Sequence, residues 1–407
     1  MNSRSRWENR LTAITLGLGL ALSMLTLRHW YETVFFDRPL CENCGTDFPA
    51  IYAGARLVWE NPAALYDLQQ QALFEKAVDP RLDDSTLAFA YPPITALLLM
   101  PLGWASFTGA YLLMSLVSGA ALLISLRLLR KSLQLNKQQF RWLKLTTVCN
   151  FGVHVTFVLG QTSLIVLLIF SLLVASAYQR DSIRSGIWSG ALFLKPQLLV
   201  VPLLVLAVKR LWPALCMGLL VIGVSAVISV FLVGEKGIAD YIQIANRFSS
   251  AQSNLGTNPQ DMHNLRALAL YVFQAPFAPY FWAVLCGLVL IVTALFNYRL
   301  LRNKAILSTQ WTVNLLAALL LSPHLHAHDL SLLVIVSALI LKNHENYQSW
   351  LSISVVLVLV AVGLFPLFPR IFEIHWPPPV LPMIFLATLF YYARSVFISE
   401  SRDESPG

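Results

Sequence analysis

Three observations predict an all-α polytopic membrane protein. Of 407 residues, 57% are apolar and only 12% are charged, whereas a soluble domain carries about 25% charged residues. Mean hydropathy is +0.64. Runs such as Leu164 to Val174 and Val355 to Leu364 are almost continuously apolar, without the period-two alternation of an outer-membrane barrel. The length accommodates about 12 helical spans, within a range of roughly 10 to 14, at about 20 residues each.

The first span is expected at about residues 11–30, behind Arg4, Arg6 and Arg10. No small-x-small cleavage site follows it, so it reads as an uncleaved helix with a cytoplasmic N-terminus. Further spans are expected near 105–129, 145–160, 161–178, 187–195, 196–208, 213–233, 276–297, 308–322, 329–341, 350–368 and 380–398, with 88–103 as a re-entrant or interfacial piece. Residues 1–398 then form one transmembrane domain and 399–407 a cytoplasmic tail. The dense basic cluster from Arg127 to Lys144 fixes the second crossing as running inward, because cytoplasmic loops retain Lys and Arg. Positive-inside charge accounts for most of the net +8, which disfavours nucleic-acid binding.

Two long loops, 31–104 and 234–266, fall on the outer side in this scheme, so chemistry is expected to face outward. In the first, Phe48, Ile51, Tyr52, Ala55, Val58 and Trp59 share one helical face, the pattern of an amphipathic helix lying on the membrane surface. The same loop holds Cys41 and Cys44, which are either a disulfide or two free thiols. Cys149, Cys216 and Cys286 lie in apolar runs and are expected to pack as small apolar side chains.

Motifs in chain order carry a family resemblance. Asp47-Phe-Pro-Ala-Ile-Tyr-Ala-Gly-Ala-Arg56, Asn61-Pro-Ala-Ala-Leu-Tyr-Asp67, Tyr91-Pro-Pro93 and Met100-Pro-Leu102 are followed by Gly160-Gln-Thr-Ser163, Gly190-Ala-Leu-Phe-Leu-Lys195-Pro-Gln and Leu321-Ser-Pro-His-Leu-His-Ala-His-Asp329. Together they resemble glycosyltransferase family 87, a branch of the GT-C superfamily. The resemblance implies a GT-C-type bundle that transfers a sugar, mannose by family default, from a polyprenyl-phosphate carrier. Transfer would proceed with inversion to an extracytoplasmic glycan or glycolipid acceptor. The last motif departs from the family's Ser-Pro-x-x-Trp-x-His-His form: Trp is absent and Asp329 stands where the second His would be.

Such a transfer needs a carboxylate to accept the hydroxyl proton and cations to hold the departing phosphate. Asp47, matching the acidic residue in the first outer loop of GT-C enzymes, is the expected base, with a helix N-cap as the competing reading. Asp67 is a second acid, read chiefly as a cap. Lys195 interrupts an apolar run, and a lysine within a membrane segment marks a functional site; it either binds the lipid phosphate or snorkels to the surface. Arg266 is a second phosphate candidate or an interfacial loop arginine, and Asn264 beside it a further substrate contact.

His328 matches the first His of the family pair and is the expected polar contact to phosphate or sugar, with a helix cap as its alternative. His324, His326, His328 and Asp329 invite a zinc reading by ligand type. The resemblance argues instead for contacts without a metal, so no cofactor is expected beyond the lipid-linked donor. Asp329 is a second carboxylate or an N-cap. Gln161 either hydrogen-bonds sugar hydroxyls or satisfies its turn, and Tyr91 contacts substrate or shapes the chain's entry into the membrane. A secondary transporter of sugar or lipid is the rival class, and a catalytically silent membrane-assembly protein a third. No match between residues 1–210 and 211–407 supports transporter symmetry. The expected location is the inner or plasma membrane, with both termini cytoplasmic.

Overall fold

The computed structural model describes residues 3–36, 47–78, 87–249, 262–273, 276–300, 307–343, 382–384 and 386–389. The Cys41–Cys44 pair, the expected span at 350–368, most of that at 380–398 and the tail 399–407 lie outside the described residues. Every element among the described residues is helical. In chain order they are α1 (Ser3–Phe36), α2 (Asp47–Glu60), α3 (Leu68–Val78), α4 (Pro93–Gly103), α5 (Phe107–Ser132), α6 (Lys137–Val148), α7 (Phe151–Leu159), α8 (Ser163–Tyr178), α9 (Ser182–Ala191), α10 (Val200–Val208), α11 (Trp212–Ser249), α12 (Leu265–Val272), α13 (Ala278–Arg299), α14 (Leu307–Leu321) and α15 (Leu333–Asn343).

Helices α5, α11 and α13 are each long and apolar enough to cross a membrane, and α6 with α7, bent by 48° at their break, together pass the same test as either one broken span or a re-entrant loop. Among the described residues three helices, or four with the bent pair, have the length and apolarity of a span, fewer than the 12 expected; α8, α10 and α14 are apolar but shorter. Two apolar cores organise the chain. The larger one joins α8, α14 and α15 with α10; the smaller one joins α2, α4 and the start of α5 to the distal part of α11. Close approach of α9 to α11 depends on Gly186 and Gly190. A Cβ on Gly190 would lie 2.6 Å from the Gly218 carbonyl oxygen, so this small-x-x-x-small pair lets backbones touch where lipid supplies no hydrophobic drive.

Two expectations are corrected. Helix α2 does not lie with its apolar face on a membrane surface, because Phe48 to Ala55 and Leu57 to Val58 are buried in protein. Helix α4 covers them, approaching so closely that a Cβ on Gly103 would meet the Ala55 carbonyl at 2.6 Å. Trp59 alone of the predicted stripe stays exposed, paired edge-on with Trp104 at 5.8 Å. The second long loop does not begin at 234. Gly234 turns the chain at φ 71°, in the left-handed region open to glycine, and helix continues to Ser249 as the wall of the smaller core.

Candidate active site

The smaller core sets the position of Asp47. Phe48 is 1% exposed, and its ring stacks within 5.3 Å of both Phe107 and Tyr111, so the residue that precedes it is held at the mouth of the core. Opposite lies the end of α7. Gly160 closes that helix at φ 60°, and its missing side chain admits the Phe48 ring, which a Cβ would meet at 2.5 Å. One residue later, Gln161 Nε2 donates to Asp47 Oδ2 at 2.8 Å. Tyr91 hydroxyl donates to Gln161 Oε1 at 2.6 Å, and Thr162 Oγ1 donates to the Tyr91 oxygen at 3.1 Å. Gln161 is therefore oriented by its neighbours and presents its amide N–H to the carboxylate.

Two residues further on, Ser163 Oγ donates to Asp329 Oδ1 at 2.8 Å. Lys195 Nζ donates to the same oxygen at 2.6 Å and to Ser163 Oγ at 3.0 Å. Both charged side chains of this pair are about 95% buried. Pro196 breaks the chain at Lys195, which stands between two single turns of 3₁₀ helix with φ −131° and ψ 82°. That break lets the lysine point across the bundle instead of along an apolar helix, so the snorkelling alternative does not describe it. Its charge is instead balanced by Asp329.

The histidine-rich segment forms a 3₁₀ turn, Ala327–Leu332, that is pinned onto α7. Asn150 Nδ2 donates to the Leu330 carbonyl at 3.1 Å, Thr156 Oγ1 to the His328 carbonyl at 3.3 Å, and a Cβ on Gly152 would strike the Ala327 carbonyl at 2.7 Å. His328 Nε2 lies 3.5 Å from Asp329 Oδ2. Burial pushes the His328 imidazole down to about 3 against the pull of Asp329, so it stands beside Asp329 as a neutral ring, not as a cation. His263 and His324 are likewise driven to about 3, again chiefly by burial. Among the described residues no three His, Cys, Asp or Glu side chains converge as a ligand set for a metal ion.

Asp47 retains some surface exposure, yet its carboxyl is enclosed enough that burial pushes its pKa above the ordinary value. The Gln161 hydrogen bond and the charges of His326 and Lys195 oppose that rise, while Asp329 adds to it. No backbone N–H among the described residues donates to the Asp47 carboxylate, whereas Asp67 Oδ1 accepts from Gln69 N at 2.9 Å and Gln70 N at 3.3 Å. Asp67 is thus the cap of α3.

Of the predicted residues, the structure gathers Asp47, Gln161, Tyr91, Lys195, Asp329 and His328 into one connected cluster. Arg266 joins it indirectly: it is 4% exposed, its Nη1 donates to the Phe248 carbonyl at 2.8 Å, and its charge acts on His324 in the histidine segment. Asn264 is placed otherwise, since its Oδ1 caps α12 through Ala267 N at 2.9 Å and its Nδ2 holds the Ser322 carbonyl at 2.8 Å. Ser163, Thr162, Asn150, Gly152 and Thr156 were not singled out by sequence. Only Ser163 and Thr162 carried a signal, as part of Gly-Gln-Thr-Ser.

The polar cluster stands at one end of an apolar bundle, beside the small core built from α2 and α4. No curated protein matches the chain. The model of glycosyltransferase family 87 matches residues 89–323, more than half of the chain and all of the cluster except Asp47, His328 and Asp329. The GT-C assignment agrees with that match, and the protein belongs to glycosyltransferase family 87 as a membrane-integral glycosyltransferase.

Proposed function

We propose that the protein moves a hexose, mannose by family default, from a polyprenyl monophosphate to a hydroxyl of an extracytoplasmic glycan or glycolipid, with Asp47 as general base. The observation that carries this reading is the Asp47–Gln161 contact. Gln161 fixes one carboxylate oxygen, and Oδ1 takes no hydrogen bond among the described residues, so an oriented carboxylate oxygen remains for an incoming hydroxyl. In the reaction the acceptor O–H proton passes to Asp47 as the oxygen attacks C1 of the sugar. The C1–O bond to phosphate breaks on the opposite face with its electron pair leaving on phosphate, which inverts the anomeric centre. A carboxyl whose pKa is raised by burial is a stronger base at neutral pH.

Arg266 and His328 are proposed to meet the donor phosphate, Arg266 with charge and His328 as a neutral hydrogen-bond donor. Lys195 is proposed to act together with Asp329. Because Asp329 already balances its charge, Lys195 can offer phosphate a third N–H but little net positive field, and its larger effect is to hold the Ser163–Asp329 side of the site in place. The outer loops, the termini in the cytoplasm and a site facing outward from the inner or plasma membrane complete the proposal. They rest on the positive-inside distribution of Lys and Arg.

The test uses purified protein with synthetic polyprenyl-phosphate mannose, glucose and arabinose and an envelope glycolipid extract, following release of polyprenyl phosphate by mass spectrometry. Consumption of the mannose or the glucose donor with formation of a glycosylated product is expected, and consumption of the arabinose donor alone would overturn the hexose. If none is consumed while a nucleotide sugar is, the donor class is wrong. Orientation is checked separately by a Gln69→Cys variant in a background without native cysteines. Labelling in intact cells is expected, and labelling only after permeabilisation would overturn the outward site.

A further inference from the structure

The distal part of α11 and the segment leading into α3 enclose a groove of about 360 Å³ that the transfer chemistry above does not use. One wall is helical. Lys236, Asp240, Gln243 and Arg247 recur at steps of four, three and four residues along α11, so they share one face. The opposite wall includes Asp67, and Tyr66, only 3% exposed, lies between the walls with its ring 5.3 Å from that of Tyr241.

The lining indicates the ligand class. Two carboxylates stand against two cations, so the groove presents no net field of one sign and is poorly suited to select a phosphate or a polyanion. It offers instead closely spaced donors and acceptors from Asn61, Asp67, Lys236, Asp240, Gln243 and Arg247. A sugar hydroxyl both donates and accepts, and a ring carrying several of them matches such a lining better than an ion does. The volume lies within the range of about 300–1,000 Å³ typical of small-molecule sites.

Position ties the groove to the reaction site on two sides. Tyr66 hydroxyl donates to the Tyr91 carbonyl at 2.6 Å, and Tyr91 in turn orients Gln161 against Asp47. Arg247 precedes Phe248, whose carbonyl accepts from Arg266. We infer that this groove is an acceptor subsite that holds a neutral sugar unit of the acceptor glycan beside the hydroxyl that attacks. The inference rests on the glycosyl-transfer reading and adds the acceptor's chemistry to it.

Saturation-transfer difference NMR on the full-length protein in detergent tests it, with methyl α-mannoside, methyl α-glucoside and methyl α-arabinoside as probes. At least one glycoside is expected to receive saturation on its ring protons. Gln243→Ala and Asp240→Asn are each expected to weaken that binding about tenfold, roughly 1.4 kcal/mol, and inorganic phosphate is expected not to displace the sugar. Gln243 is exposed and Asp240 half-buried, so neither change removes core packing, and thermal unfolding of both variants verifies that they remain folded. Absence of saturation with every probe, undiminished saturation in both variants, or displacement by phosphate would overturn the subsite. The readout needs no turnover: a silent groove leaves the role of Asp47 standing, and failure of Asp47 as the base leaves a sugar-binding groove standing.

Discussion

Two buried polar networks occupy opposite ends of α10 and α14, and they are built differently. At one end Lys209 Nζ donates to Gln310 Oε1 at 2.9 Å, Gln310 Nε2 to Asn297 Oδ1 at 2.6 Å, and Asn297 Nδ2 to Asn314 Oδ1 at 2.7 Å and to the Thr293 carbonyl at 2.8 Å. Asn314 Nδ2 returns a bond to Asn297 Oδ1 at 3.2 Å. Both donors and the acceptor of Asn297 are engaged, the three amides are at most 4% exposed, Asn297 and Asn314 close on each other, and Lys209, which reaches them through Gln310, is only half-buried. At the other end Lys195 and Asp329 bring full charges inside, and Asp47 keeps an oxygen available. A closed amide network joins helices where lipid cannot drive them together, whereas an open, charged one is costly to bury and is kept where chemistry uses it.

The largest expected effect separates the two networks by function. Asp47→Asn preserves an oxygen that can accept from Gln161, so thermal unfolding should be nearly unchanged, while transfer should fall about 100-fold to 10,000-fold as the proton acceptor is lost. A variant that kept more than roughly a tenth of parental turnover would place the base elsewhere, with Asp329 next in line.

Next in size is an effect on folding. Asp329→Ala leaves Lys195 buried without its counter-ion, which should lower stability by about 3–5 kcal/mol. The double variant Lys195→Met with Asp329→Leu should recover most of that loss, since replacing both partners of a buried pair by apolar side chains is often neutral. Chemical or thermal unfolding in detergent measures both. An Asp329→Ala protein as stable as the parent would mean that the pair is not the joint described.

The smallest effect belongs to the closed network. Asn297→Leu should cost about 0.6–2 kcal/mol, the scale of interhelical hydrogen bonds in membranes, with transfer per folded molecule unchanged. If turnover fell with stability intact, the closed network would share in the reaction and the contrast would fail.

How much of this was readable from sequence follows the same division. The apolar runs marked α5, α11 and α13, which start within two residues of expectation, because a membrane span needs little beyond continuous hydrophobicity, but they also marked α8, α10 and α14, which are shorter apolar helices. Lys195 and Asp329 each drew attention singly, Lys195 as a charge interrupting an apolar run and Asp329 as the residue standing where the family's second His would be. Their pairing, 134 residues apart in the chain, was not legible, because no local pattern encodes which helices meet. Asn264 showed the opposite problem: an amide before an arginine in a polar loop reads as a ligand contact, and only the structure reveals that it caps α12. The stripe on α2 had the right periodicity, but periodicity does not say whether protein or lipid covers it. Gln310 and Asn314, four apart on one helix face, were the missed signal for the closed network.

Asp47 as the proton acceptor is the central claim, and the pH dependence of kcat/KM in the parent and in Gln161→Ala tests it most directly, because that profile reports the free enzyme's ionisations. The Asp47 carboxyl faces Gln161, His326, Lys195 and Asp329, and burial raises its pKa above the ordinary carboxyl value, so activity should be full above the raised pKa and be lost as pH falls through it. Gln161 stabilises the charged form by donating to it; removing that donor should move the acid limb further upward. An acid limb near pH 3.9, the ordinary aspartate value, and unmoved by Gln161→Ala would contradict the account.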